Sequence, residues 1–247
     1  MQQHPAVVNT IAPLTNVALT MAALERTMNA PRHLSRQIVL YGPSGWGKTK
    51  SITYAANKLR GYHVRCFEVT TKKSLFVSIL KEMGITPAAT LPEMQDQITE
   101  ELTASQRPLI IDEVDYLVKK GVIEVVRDIH DGSACSAIIL VGEEKLPTNL
   151  LKWERFHRRV HEWVMAQPAD FQDADQLRRL YIRPGLHVAD DLLHDILAIA
   201  RGSVGRIAEN LEAVQTEALA NGWTEVDRTA WGNRPLVAGK APKRGEN

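Results

Sequence analysis

The chain has 247 residues, 44% hydrophobic and 24% charged, proportions of a globular protein able to hold one α/β domain plus a small helical one. A formal net charge of +1 excludes a polycation that coats nucleic acid by bulk charge, so any such contact must come from a local patch. No apolar run approaches the ~20 residues of a membrane span, and the first 31 residues lack the pattern of a secretory signal. A cytoplasmic protein without a membrane partner is expected.

In chain order, residues 1–30 read as a leader with helical periodicity at 17–28. Residues 37–41 form an apolar run that leads into Gly42-Pro43-Ser44-Gly45-Trp46-Gly47-Lys48-Thr49, and residues 51–59 look helical. Strand, glycine-rich loop and helix in that order make a phosphate-binding loop. The glycines let backbone N–H groups turn toward phosphates, Lys48 brings a charge to the β- and γ-phosphates, and Thr49 offers a hydroxyl to Mg²⁺. Ser51 is counted with Gly42–Thr49 among the nucleotide-binding candidates, and Trp46 is expected to cover the loop or pack on a neighbour. ATP and Mg²⁺ are the implied cofactors.

Beyond the loop, a strand is expected at 63–69, helices at 74–83 and 91–103, a buried strand at 108–112, a helix near 122–130, and strands at 137–142 and 160–165. Alternating strands and helices imply a largely parallel sheet flanked by helices, over residues 31–168. After Pro168 the strands stop. Helices at 174–181, 189–200 and 204–219 predict a small all-helical domain over 169–231, and the basic, Gly- and Pro-rich residues 232–247 predict a disordered tail.

Four features carry chemistry. The loop is the first. The second is Leu109-Ile110-Ile111-Asp112-Glu113, an apolar strand ending in two carboxylates, where Asp112 can hold the water shell of Mg²⁺ and Glu113 can orient an attacking water. The third is Arg155-Phe156-His157-Arg158-Arg159: in a ring or filament, an arginine here can reach a neighbouring subunit's γ-phosphate, Arg159 before Arg155. The alternative is a solvated basic helix end. The fourth is Gly202-Ser203-Val204-Gly205-Arg206, where Arg206, with Arg201 as competitor, could sense the subunit's own nucleotide.

Thr71, Lys72 and Lys73, and also Lys119 and Lys120, are candidate contacts to DNA phosphates, with solvated loop lysines as the alternative. Arg234, Lys240, Lys243 and Arg244 add a basic cluster in the tail. Cys66 and Cys135 read as reduced, buried thiols, and no structural metal is expected; His157 and His161 are read as surface or interface histidines.

In this order the features resemble the AAA+ ATPases. The stretches LIIDEVD (residues 109–115), IILVGEE (138–144), RFHRRV (155–160) and residues 203–211 resemble the phage Mu transposition protein B and its relatives, the target-selecting ATPases of DNA transposons. The similarity covers about residues 17–220. It implies an AAA+ sheet with a helical lid, ATP hydrolysis, sequence-tolerant duplex DNA binding, ATP-dependent self-assembly into a filament or ring, and a transposase partner. Carried over by position, Lys48 and Thr49 serve nucleotide and Mg²⁺, Asp112 and Glu113 the metal and water, Arg159 acts in trans, and Arg206 is the lid sensor. Both lysine loops lie where relatives present residues to DNA.

The chain departs from that pattern twice. Only 41 residues precede Gly42, so the helix-turn-helix domain of the phage protein is not expected ahead of it. Relatives often place a polar donor after the fourth strand, where this chain has Gly142-Glu143-Glu144. A carboxylate there repels phosphate. A nucleotide switch or remodeller acting on a protein partner, of secretion-linked or loader type, is the alternative function.

Overall fold

The computed structural model describes residues 14–31, 34–133 and 136–238. Cys135, Lys240, Lys243, Arg244 and residues 1–13 of the expected leader lie outside them. The chain divides into two compact units, one of residues 16–44 and 48–166, the other taking in residues 45–47 and the segment from 167 onward.

The first unit runs α1 (Thr15–Met28), β1 (Gln37–Tyr41), α2 (Lys48–Leu59), β2 (Tyr62–Arg65), α3 (Lys72–Glu82), α4 (Leu91–Ser105), β3 (Leu109–Asp112), α5 (Asp115–Lys119), α6 (Glu124–Gly132), β4 (Ile138–Gly142), α7 (Leu146–Leu150), α8 (Glu154–His157) and β5 (Val160–Met165). The five strands pair in parallel in the order β2-β3-β4-β1-β5. Successive strand side chains point to opposite faces, and two cores result. Val39, Leu109, Ile111, Ile138 and Leu140 pack with Leu75, Ile79 and Phe76 of α3, Ile98 and Leu102 of α4, and Val126 and Ile129 of α6. Ile38, Leu40, Ile110, Ile139 and Val141 pack with Leu24 of α1 and with Ile52 and Ala55 of α2. Covering both faces explains why these strands read as unbroken apolar runs. It also makes α1 part of the α/β core.

Local chemistry sets the helix boundaries. Thr90 accepts from the Glu93 N–H, and Glu93 accepts from the Thr90 N–H at 3.1 Å, a reciprocal cap that starts α4. Thr71 and Ser74 make the same exchange at the start of α3. The strand expected at 63–69 ends at Arg65, because residues 67–70 close a turn: Thr70 N–H donates to the Phe67 carbonyl at 2.9 Å, and Phe67 N–H to Thr70 Oγ1 at 2.8 Å. The turn leaves Phe67 and Val69 exposed, 58% and 81%, so apolar character misreports this segment. Helices α5, α7 and α8, of five residues or fewer, are too short for periodicity to reveal.

The second unit holds α9 (Phe171–Tyr181), β6 (His187–Val188), α10 (Asp190–Ala200), α11 (Val204–Asn221), β7 (Glu225–Val226) and α12 (Arg228–Trp231). Leu177, Leu192, Leu193, Ile196, Ile207, Leu211 and Val214 are buried along the three long helices. The expectation that this part is purely helical is corrected by β6 and β7, which pair in parallel, His187 with Glu225 and Val188 with Val226. Two-residue strands carry no alternation to read.

The expectation of a disordered tail from 232 is corrected for its first residues. Val237 N–H donates to Asn210 Oδ1 at 2.7 Å, and Arg234 pairs with Glu217 at 3.0 Å while its guanidinium lies 4.9 Å from the Trp223 ring centre. Arg234 is thereby engaged within its own unit.

Candidate nucleotide site

The phosphate loop leaves the carboxyl end of β1, and Asp112 closes the carboxyl end of β3, with β4 between them in the sheet. Gly45 and Gly47 have φ of +83° and +86°, where a side chain would be strained, so the loop's tight curve needs glycine at both positions. Lys48 and Thr49 then open α2 and lie where the helix N-terminus favours anions. The Lys48 ammonium donates to the carbonyls of Gly42 at 2.7 Å and Pro43 at 2.9 Å. Burial lowers the Lys48 pKa from its ordinary value, while the charges of Glu113, Asp112, Glu143 and Asp115 pull it back up. Ser51 is buried in the same helix, Trp46 is half-buried, and Ser44 is exposed.

Thr49 Oγ1 donates to Asp112 Oδ2 at 3.1 Å, and the Asp112 carboxylate is 2% exposed. A hydroxyl and a carboxylate oxygen therefore converge beside the loop, a hard-oxygen pair that suits Mg²⁺, which takes one or two protein oxygens and leaves its other positions to water and phosphate. The residues fit the ion that the loop implies.

Glu113 adopts φ +58°, an uncommon backbone state for a side-chain-bearing residue that costs about 1–3 kcal/mol. Its N–H donates to Asp112 Oδ1 at 2.9 Å, and its Oε1 accepts from Arg65 Nη2 at 3.1 Å. Arg65, at the end of β2, is in register with Asp112, which brings it beside the next residue, Glu113. Sequence reasoning missed this pairing because it depends on strand register.

Asp115 is a second residue that sequence reasoning missed. Its Oδ2 accepts from the Glu143 N–H at 2.7 Å, tying the turn after β4 to the start of α5. A Cβ on Gly142 would fall 2.2 Å from that oxygen, so the glycine makes room for the carboxylate. Burial pushes the Asp115 carboxyl above its usual range. Glu143 itself is exposed, and its backbone rather than its side chain is engaged. Cys66, buried beside Asp112 and Glu113, has its pKa pushed up to about 12, mainly by burial, and so stays a thiol, a poor nucleophile.

The three arginines of 155–159 separate. Arg158 pairs with Glu154 at 2.6 Å on the surface of α8. Arg155 is exposed, and its carbonyl accepts from Arg159 Nη1 at 2.8 Å. Arg159 Nε donates to Asp131 Oδ1 at 2.7 Å. In the second unit, Arg206 is half-buried in the first turn of α11, its N–H donating to Ser203 Oγ at 3.3 Å, whereas Arg201 ends α10 at φ +50° with its side chain exposed.

The lysines also divide. Lys72 and Lys73 open α3, exposed and without a salt bridge among the described residues, beside Thr71, which is used as the cap. Lys119 pairs with Glu68 at 3.3 Å, and the Lys120 ammonium donates to the carbonyls of Glu68 and Thr70. These two clamp the turn after β2, which reduces their freedom to meet a phosphate.

A parallel sheet flanked by helices, with a phosphate loop after β1 and an Asp-Glu pair at the end of β3, is the P-loop AAA+ fold. Residues 32–150 match the family described as the AAA domain. The chain resembles the ORC2 protein of Aeropyrum pernix, solved in ADPNP and ADP complexes, with TM-score 0.69 and 16% identity over 90% of this chain and 68% of that one. It also resembles Cdc6p of Pyrobaculum aerophilum, with TM-score 0.62 and 16% identity over 90% of this chain and 66% of that one. The ORC1 protein of Aeropyrum pernix, solved in complex with DNA, gives TM-score 0.59 and 17% identity over 87% of this chain and 62% of that one. The chain thus spans about two thirds of the length of these proteins. No curated protein sequence matches it. Among the described residues, no helix is long and apolar enough to cross a membrane.

Proposed function

We propose that this chain is an ATP-dependent DNA-binding ATPase that assembles on duplex DNA as a filament or ring, selects it as a target and stimulates a transposase, with hydrolysis driving disassembly. The observation that carries the ATPase part is the convergence of Thr49, Asp112 and Glu113 beside Lys48. Lys48 and the loop N–H groups bind the triphosphate, and Thr49 and Asp112 hold Mg²⁺, which when bound neutralises the charge on the transferred phosphoryl group. Glu113 orients the attacking water and takes its proton. Arg159, or Arg155 one turn earlier, acts on a neighbouring subunit's nucleotide. Arg206 is assigned the lid-sensor role on the sequence resemblance alone.

Support for DNA as the partner comes from Lys72 and Lys73, exposed at the start of α3, the helix that follows β2 and the turn of residues 67–70. The transposase rests on the resemblance of residues 109–115, 138–144, 155–160 and 203–211 to the target-selecting ATPases. A second reading, a loader acting on a protein client, is favoured by the fold shared with the archaeal ORC and Cdc6 proteins.

Turnover measured with ATP, with and without duplex DNA and with the candidate transposase, separates the two. The proposal expects DNA to stimulate turnover and Glu113→Gln to abolish it while ATP-dependent assembly on DNA survives. Indifference to DNA, with stimulation by a protein client alone, would favour the loader.

A further inference from the structure

Arg159 is held on two edges of its guanidinium. Nε donates to Asp131 Oδ1 at 2.7 Å, and Nη1 to the Arg155 carbonyl at 2.8 Å. Asp131 is in turn fixed by its neighbour. Arg36 N–H donates to His130 Nε2 at 3.2 Å, so that nitrogen carries no proton and Nδ1 is the protonated one, 3.3 Å from Asp131 Oδ1. Ser35 adds a brace: its hydroxyl donates to the Arg159 carbonyl and lies 3.5 Å from His130 Nε2. The relay therefore runs from the backbone ahead of β1, through the end of α6, to the arginine ahead of β5.

Two of the five guanidinium N–H groups are taken by this frame, which leaves three for phosphate oxygens. The side chain is 35% exposed, so its free edge is accessible while its orientation is set. A flexible arginine would have to be ordered at the moment of reaction, whereas a framed one is ordered beforehand.

We propose that Asp131, oriented by His130, is the positioning residue that presents Arg159 to the nucleotide of a neighbouring subunit. This rests on the reading of Arg159 as the arginine acting in trans. The frame lies outside the subunit's own nucleotide residues, so its loss should lower turnover in the neighbour without weakening ATP binding there. Burial lowers the His130 pKa, which keeps the ring neutral and in the tautomer that serves Asp131.

Subunit mixing tests the proposal with the full chain. Arg159→Ala keeps an intact hydrolytic site but supplies no arginine; Glu113→Gln supplies the arginine but cannot hydrolyse. Mixed on duplex DNA with ATP, they should recover turnover. A donor that also carries Asp131→Ala should restore about tenfold less or worse, at unchanged KM for ATP, while entering the assembly to the same extent by co-sedimentation. A donor with Asp131→Asn, which keeps an oxygen acceptor, should recover most of the rescue. A donor with His130→Ala is the second variant and should also fall short of the Glu113→Gln donor. Rescue by the Asp131→Ala and His130→Ala donors equal to that by the simple Glu113→Gln donor would overturn the positioning role while leaving Arg159 in place. Failure of the simple mixture of Arg159→Ala and Glu113→Gln would instead remove Arg159 from the reaction, and the proposal with it.

Discussion

Arg65 at the end of β2 holds the carboxylate of Glu113, Nη2 to Oε1 at 3.1 Å, although 47 residues separate them in the chain. The strand register that sets Arg65 opposite Asp112 brings it beside the next residue, Glu113. A carboxylate oxygen bonded to a guanidinium is occupied and cannot at the same time hold a water molecule along that direction. The turn of residues 67–70 begins two residues beyond Arg65 and leads into α3, which opens with Lys72 and Lys73, so a pull on that helix start is passed along the chain toward the ion pair.

Removing the restraint should therefore release the site. Arg65→Ala is expected to raise DNA-independent ATP turnover several-fold and to shrink the stimulation by DNA, measured as kcat with and without duplex. The pair is half exposed and contributes little to stability, about 1 kcal/mol or less, so the thermal midpoint should hardly move. A lower basal rate would show that Arg65 supports Glu113 rather than restrains it.

The two lysine pairs should behave differently on DNA. Reversing charge at Lys72 and Lys73 is expected to weaken duplex binding equally across sequences and to flatten the plot of log Kd against log salt by about two. Alanine at Lys119 and Lys120 should leave that slope unchanged, because both side chains are committed to the turn through Glu68 and Thr70. A slope that flattens with the second pair would place Lys119 and Lys120 on DNA after all.

Much of the catalytic end of the site is legible in the sequence because its residues are local. Gly42–Thr49 curve within one loop, and Asp112 and Glu113 are adjacent. Arg65, Asp115, Asp131 and His130 are not legible, since each acts through a partner that only sheet order or a loop crossing supplies. The same reason explains the lysines: charge is visible in a sequence, but the carboxylate and carbonyls that occupy Lys119 and Lys120 are not. Length limits the rest. Strands β6 and β7 and helices α5, α7 and α8 are shorter than the period needed to recognise them.

His130 gives the fold a pH dependence of known sign. Burial lowers its pKa in the folded protein despite the upward pull of Asp131, so as pH falls the unfolded chain takes up the proton first. The stability from the neutral ring is complete above about pH 6.5 and is lost as pH falls from there toward the folded-state value. The midpoint of denaturant unfolding, followed from pH 8 to pH 5, should drop more steeply for the natural chain than for His130→Asn. Parallel curves would mean that His130 titrates alike in both states.

Lys48 joins the nucleotide to the assembly, and one observation tests that joint: electron microscopy of the protein on linear duplex DNA with a non-hydrolysable ATP analogue, beside Lys48→Ala. Filaments or rings on DNA are predicted for the natural chain with the analogue, and bare DNA for the natural chain without nucleotide and for Lys48→Ala. Assemblies of equal abundance in all three would contradict nucleotide control of DNA-bound assembly, the centre of this account.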